Sequence, residues 1–270
     1  MRQFLPLLTA LFFCAPAPAE NLIRPALYFG EDSRLSNDAI MAAGPYVSIG
    51  QVVCKLKGLN WEQQGTGTLT SDGIVITAGH IFLNPNGTLF TSPETCVFVM
   101  FDAQNKIYKI LEAKRAKVLT QQFERIPERD FGFLDLGPQA AETTPTVLTA
   151  TTRFLAIPGR TLHIVGYSMD IADTNIRRKV TLTIGHKGPK SRYKNHENIF
   201  YHDGDVGPAS SGAPIIDTLT GKVVGIHLGG YGGGTYQENT SFNYGALFSR
   251  EIALEYDIFL SQRGIFRTRN

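Results

Sequence analysis

Three short motifs carry residues able to do nucleophilic chemistry together: Thr77-Ala78-Gly79-His80, Asp130-Phe131-Gly132-Phe133-Leu134 and Pro208-Ala209-Ser210-Ser211-Gly212-Ala213-Pro214. In the last, a glycine lets the backbone fold sharply and a proline fixes the exit, so the serine before them is presented to its surroundings. Alone, Ser-Gly-Ala-Pro also describes an ordinary surface turn; the two upstream motifs give it a chemical reading. Serine is a weak nucleophile at neutral pH and needs an adjacent base, a task for which histidine has the right pKa. The imidazole in turn needs a carboxylate to fix its tautomer and stabilise its charged form. His80, Asp130 and Ser211 supply these three groups in chain order.

Strands must position them. Short runs of Val, Ile, Thr and aromatics, punctuated by Gly, Asn, Asp and Pro, predict strands over 47–56, 66–70, 74–77, 96–101, 106–118 and 132–136. A second set is expected over 161–167, 179–184, 199–201, 213–216, 223–228 and 243–248. Such a density of short strands reads as an all-β barrel or sandwich. The tail 249–262 differs: Ile252, Tyr256 and Phe259 recur at helical spacing behind a Ser249 N-cap.

The order histidine, aspartate, serine is that of the chymotrypsin group. The stretch Gly65-Thr66-Gly67-Thr68-Leu69 through His80 resembles the strand–turn–strand that delivers the histidine in chymotrypsin-like serine proteases. Gly212-Ala213-Pro214-Ile215-Ile216 through Val223-Val224-Gly225-Ile226-His227-Leu228-Gly229-Gly230 is similar to the glutamyl-endopeptidase branch, as is the early Phe29-Gly30-Glu31-Asp32-Ser33-Arg34. The resemblance implies two six-stranded antiparallel β-barrels followed by a C-terminal helix. Residues 47–150 would form the first barrel and 151–270 the second with the helix, joined by the Thr-, Ala- and Pro-rich stretch 137–158. The catalytic groups would meet in the crevice between barrels.

It also implies residue roles. His80 would be the general base, Asp130 the orienting carboxylate and Ser211 the nucleophile, with Ser210 its competitor and Asp102 and Asp135 structural or surface groups. Ser210 stands where digestive enzymes hold the aspartate that pairs with a new N-terminus, so that activation switch is expected to be absent. The oxyanion would be received by the N–H groups of Ala209 and Ser211, but the family usually has glycine where Ala209 stands. His227 matches a histidine that helps neutralise a substrate carboxylate in the glutamyl branch. Val206 replaces a usual Thr or Ser, and Asp205 falls where trypsin-like enzymes hold the aspartate that binds Lys or Arg. Acidic and basic preferences both remain open on these residues. The expected function is a serine endopeptidase acting through an acyl-enzyme on protein or peptide substrates; the alternative is a catalytically weak or inactive binding protein on a protease scaffold.

Composition bounds the rest. Net charge of +2 with scattered Lys and Arg points to no special electrostatic partner and nothing reads as a nucleic-acid patch, and the cluster Arg177-Arg178-Lys179 with Lys187, Lys190, Arg192 and Lys194 reads as a solvated loop. Arg2, the apolar Phe4 to Phe13 run and Ala17-Pro18-Ala19 read as a signal peptide over 1–19, with a segment over 20–46 that could be a pro-segment. The apolar run is too short to span a bilayer, so a secreted or periplasmic monomer free of the membrane is expected. A lipid anchor at Cys14 is disfavoured by the bulky Phe12-Phe13. Removing the signal leaves Cys54 and Cys96, which in an exported chain most often pair, the alternative being two buried thiols. With no Cys-x-x-Cys and no His-Glu-x-x-His, a metal site is not expected, and hydrolysis through an acyl-enzyme would need no organic cofactor.

Overall fold

The computed structural model describes residues 34, 44–55, 62–83, 88, 95–102, 104, 106–119, 127–142, 150–152, 159–169, 178–183, 197–231 and 242–263. The expected signal peptide, Cys14, nearly all of 20–46, and Lys187, Lys190, Arg192 and Lys194 lie outside these residues. Seven strands form a first antiparallel sheet: β1 (Ile49–Lys55), β2 (Glu62–Leu69), β3 (Ile74–Ala78), β4 (Cys96–Phe101), β5 (Ile107–Glu112), β6 (Arg115–Val118) and β7 (Phe131–Asp135). Their order is β5-β4-β1-β2-β3-β7-β6. The stretch expected as one strand over 106–118 is broken between β5 and β6 for a physical reason. The Ala113 N–H still bonds to Cys96 of β4, whereas the Lys114 N–H bonds to Asp135 of β7. One bent strand thus supplies both sheet edges and curls the sheet back on itself, which leaves fewer open edge groups.

The second sheet holds β8 (Thr161–Gly166), β9 (Arg178–Thr183), β10 (Ile199–His202), β11 (Pro214–Asp217), β12 (Val223–Tyr231) and β13 (Phe242–Leu247) in the order β10-β13-β12-β11-β8-β9. Leu162, Ile164, Phe200, Ala213, Ile215, Val224 and Leu247 fill its interior. A one-turn helix, α1 (Gln139–Glu142), follows the first sheet, and α2 (Arg250–Ser261) ends the described chain. The result is the chymotrypsin-like double barrel with a C-terminal helix.

Ser249 caps α2 as expected, its Oγ accepting from the Ile252 N–H. Phe133 receives Tyr256 and Phe259 of the helix at ring-centroid distances of 5.6 and 5.9 Å. Beneath them Asp135 is buried between Arg115 and Arg263, both of which donate to its carboxylate. Burial pushes this carboxyl up, but the bonds from Arg263, Arg115 and the Gly137 N–H, with the charge of Arg263, outweigh it and hold the pKa below the usual range. Asp135 is therefore a clamp between barrel and helix.

Cys54 and Cys96 are directly opposed in the β1–β4 ladder and form a disulfide across a separation of 42 residues. The closed loop contains β2, β3 and the turn bearing His80. In the chain-entropy model a loop of this length stabilises by about 4 kcal/mol. Replacing both cysteines by alanine is expected to lower unfolding free energy by that order, measured by denaturant titration, and to loosen the histidine-bearing hairpin.

Candidate active site

His80 sits just past the end of β3, in the 3-10 turn Gly79–Phe82. Asp130 immediately precedes β7, and β7 pairs with β3 so that Ala78 faces Phe131. Two adjacent strand ends thereby bring the residues together across 50 positions of sequence. Asp130 grips the turn three times: Oδ1 accepts the His80 backbone N–H at 2.7 Å, its carbonyl accepts the Gly79 N–H at 3.0 Å, and Oδ2 lies 2.7 Å from His80 Nδ1. An ionised carboxylate only accepts, so Nδ1 carries the proton and, in the neutral ring, Nε2 keeps the lone pair.

The serine loop comes from the second barrel and abuts the same hairpin. The Thr66 N–H donates to Ser211 C=O at 2.8 Å, and Gly212 packs so tightly on β2 and β3 that a Cβ would lie 2.2 Å from Thr66 O and 2.3 Å from Thr77 Oγ1. Gly212 also has φ +84°, so both space and backbone demand glycine. The two serines part company here. Ser210 is buried, with Oγ donating to Tyr167 C=O at 3.1 Å and lying 3.1 Å from Ser168 Oγ. Ser211 is half-buried and its Oγ donates to Leu228 C=O at 3.3 Å.

Around Ser211 the backbone donors are unevenly used. The N–H groups of Ser210, Gly212 and Ala213 bond to Gly207, His227 and Ser210 carbonyls. Those of Ala209 and Ser211 donate to no acceptor among the described residues. Ala209 has φ +69° and is the sole non-glycine residue in the left-handed region among those described. An alanine there costs roughly 1–2 kcal/mol, which a glycine would avoid.

His227 lies on β12, its N–H donating to Ala213 C=O of the serine loop. It is buried, and its Nδ1 is 3.2 Å from Nε2 of His202 on β10, a residue that sequence reasoning missed. Burial above all, then the charges of His202 and His80, pushes His227 well below the ordinary histidine pKa; burial alone pushes His202 down to about 3. His202 Nδ1 is buried without a partner among the described residues, and an unpaired acceptor is cheaper there than an unpaired N–H. The tautomer follows: Nε2–H of His202 donates to His227 Nδ1, which leaves the His227 proton on Nε2. Asp205 is also buried, next to Gly204, whose carbonyl is held by Asn243 Nδ2. Val206 lies in the apolar core of the second barrel with Phe200, Ile215 and Val224.

The histidine pair makes an acid-sensitivity prediction. Below about pH 6.5 an unfolded histidine gains a proton that buried His202 refuses until about pH 3, so its contribution to stability is complete above pH 6.5 and lost as pH falls. Between pH 7 and 5 the loss from His202 is about 2 kcal/mol. Thermal unfolding at both pH values is expected to show it, and His202→Gln is expected to reduce the difference.

The chain matches the family model for the trypsin-like peptidase domain over residues 65–226. No curated protein sequence matches it. Its fold is similar to that of a Glu endopeptidase solved in complex with MPD, at TM-score 0.64 and 19% identity, covering 87% of this chain and 100% of that one. It is similar also to the protease Anisep from Arthrobacter nicotinovorans, at TM-score 0.62 and 19% identity, with 82% and 98% covered. A thermostable serine protease AL20 from an extremophilic microorganism aligns at TM-score 0.59 and 16% identity, with 80% and 98% covered.

Proposed function

This chain belongs to the trypsin-like peptidase family, a family of serine peptidases, and we propose that it is an exported endopeptidase whose nucleophile, general base and orienting carboxylate are Ser211, His80 and Asp130. The observation that carries this reading is the His80–Asp130 pair beside a turn with two undonated N–H groups. Ser211 Oγ turns from Leu228 C=O toward His80 Nε2, loses its proton to it and bonds to the scissile carbonyl carbon. The N–H groups of Ala209 and Ser211 receive the oxyanion. As the C–N bond breaks, His80 returns the proton to the leaving amine; water, deprotonated by His80, then hydrolyses the acyl-enzyme. Asp130 stabilises the imidazolium in both halves. The Cys54–Cys96 disulfide and the apolar N-terminal run support export.

For residue preference we infer cleavage after acidic residues. His227, kept neutral by burial, would present Nε2–H as a hydrogen-bond donor to a substrate carboxylate, with His202 fixing that tautomer from behind. Asp205 opposes this by its charge and would favour Lys or Arg if it faced the same pocket. Paired chromogenic peptides ending in Glu or Arg decide: faster release from the Glu peptide, lost in His227→Phe, is expected. Preferential release from the Arg peptide, lost in Asp205→Asn, would overturn the acidic preference.

A further inference from the structure

Thr66 is fully buried on β2, where it cannot itself touch substrate, yet every polar atom it has is hydrogen-bonded, and its N–H and hydroxyl join the first barrel to the serine loop of the second. Its N–H donates to Ser211 C=O at 2.8 Å, and its C=O accepts from Thr77 Oγ1 at 2.7 Å, three residues before His80. Its hydroxyl donates to Ala209 C=O at 3.0 Å and accepts from the Tyr167 N–H, at the end of β8, at 3.1 Å. A hydroxyl has one proton to give, and here it goes to the carbonyl of the one described non-glycine residue in the left-handed region.

Two peptide planes flank the Ala209 Cα, and both are held. Pro208 C=O accepts from the Met169 N–H at 2.9 Å, and in a trans peptide this aims the Ala209 N–H the opposite way. The following plane is held through Ala209 C=O, and its holder is the Thr66 hydroxyl. Without that bond, alanine favours negative φ by about five- to thirtyfold, and relaxation would rotate one plane against the other.

We propose that Thr66 is a positioning residue whose hydroxyl keeps Ala209 in the left-handed conformation required of the oxyanion-binding loop. The proposal rests on the serine-peptidase reading. It gives a reason why this chain tolerates alanine where its family favours glycine: a side chain of the first barrel supplies the constraint that glycine's freedom would make unnecessary.

The test is a double-mutant cycle on the full exported protein, reading kcat, KM and the rate of fluorophosphonate labelling. Thr66→Val keeps the shape and deletes the donor; it is expected to lower kcat and labelling by about five- to thirtyfold while KM stays within about twofold. Thr66→Ser is expected to recover most of the loss. In the Ala209→Gly background the same Thr66→Val change is expected to cost no more than about threefold, because glycine holds positive φ without help. Thermal unfolding is followed throughout, and if Thr66→Val does not fold, Thr66→Cys, a much weaker donor, replaces it. An unchanged kcat, failure of Thr66→Ser to recover it, or an equal loss in both backgrounds would overturn the proposal. A wild-type protein without peptidase activity or labelling would instead overturn the peptidase reading.

Discussion

Ser211→Ala is expected to lower kcat by about 10^6-fold, since removing the nucleophile of such a constellation leaves only what the remaining site contributes. Ser210→Ala, one residue away, is expected to keep most of its turnover. The contrast follows from geometry. Ser210 Oγ is buried on Tyr167 C=O and Ser168 Oγ, so its loss is felt in stability, by about 1–2 kcal/mol. Ser211 Oγ has one weak acceptor, Leu228 C=O at 3.3 Å, and can leave it at small cost. Steady-state assays on casein or a chromogenic peptide, with unfolding curves for both variants, separate the two outcomes. A dead Ser210→Ala that remains folded would show that the register is displaced by one.

Asp130→Asn is expected to lower kcat by about 10^4-fold with the fold intact. The amide oxygen can still accept the His80 N–H, which Oδ1 accepts in the native protein at 2.7 Å. The amide nitrogen at the other position donates, so it would pair with an unprotonated His80 Nδ1 and drive the proton to Nε2. That nitrogen could then no longer take the serine proton. The signature is a large fall in kcat at nearly constant unfolding temperature. A loss below about tenfold would mean that the carboxylate does not set the His80 tautomer.

The three motifs and the disulfide were legible because each is a local pattern: β-runs ending in Thr-Ala-Gly-His, a Ser-Gly-x-Pro turn, two cysteines outside the expected signal peptide; the strand pattern gave a barrel or sandwich, and the family resemblance carried by the motifs made it a double barrel. What was hidden depends on contacts between distant segments. His202 ends a four-residue strand, and nothing in Ile199-Phe200-Tyr201-His202 says that its ring meets that of His227. Its one sequence signal was a histidine within a β-patterned stretch close before the serine loop. Thr66 reads as an ordinary strand threonine, although its hydroxyl meets Ala209 across 143 residues. The break at Ala113 and Lys114 was invisible because apolar pattern continues through it while hydrogen-bond partners change. Ala209 was singled out in sequence as a departure from glycine, and its φ of +69° gives that departure its physical content.

A fluorophosphonate probe requires both an activated serine and a formed oxyanion site, the two features proposed for Ser211 and its loop. The purified protein, labelled and digested, is to be mapped by tandem mass spectrometry. One adduct, on Ser211, is expected to form in wild type and to be lost in His80→Ala. Absence of any adduct on folded protein, or an adduct on Ser210, would contradict this expectation and leave the chain as a protease scaffold that binds without cutting, or one whose chemistry sits at another serine.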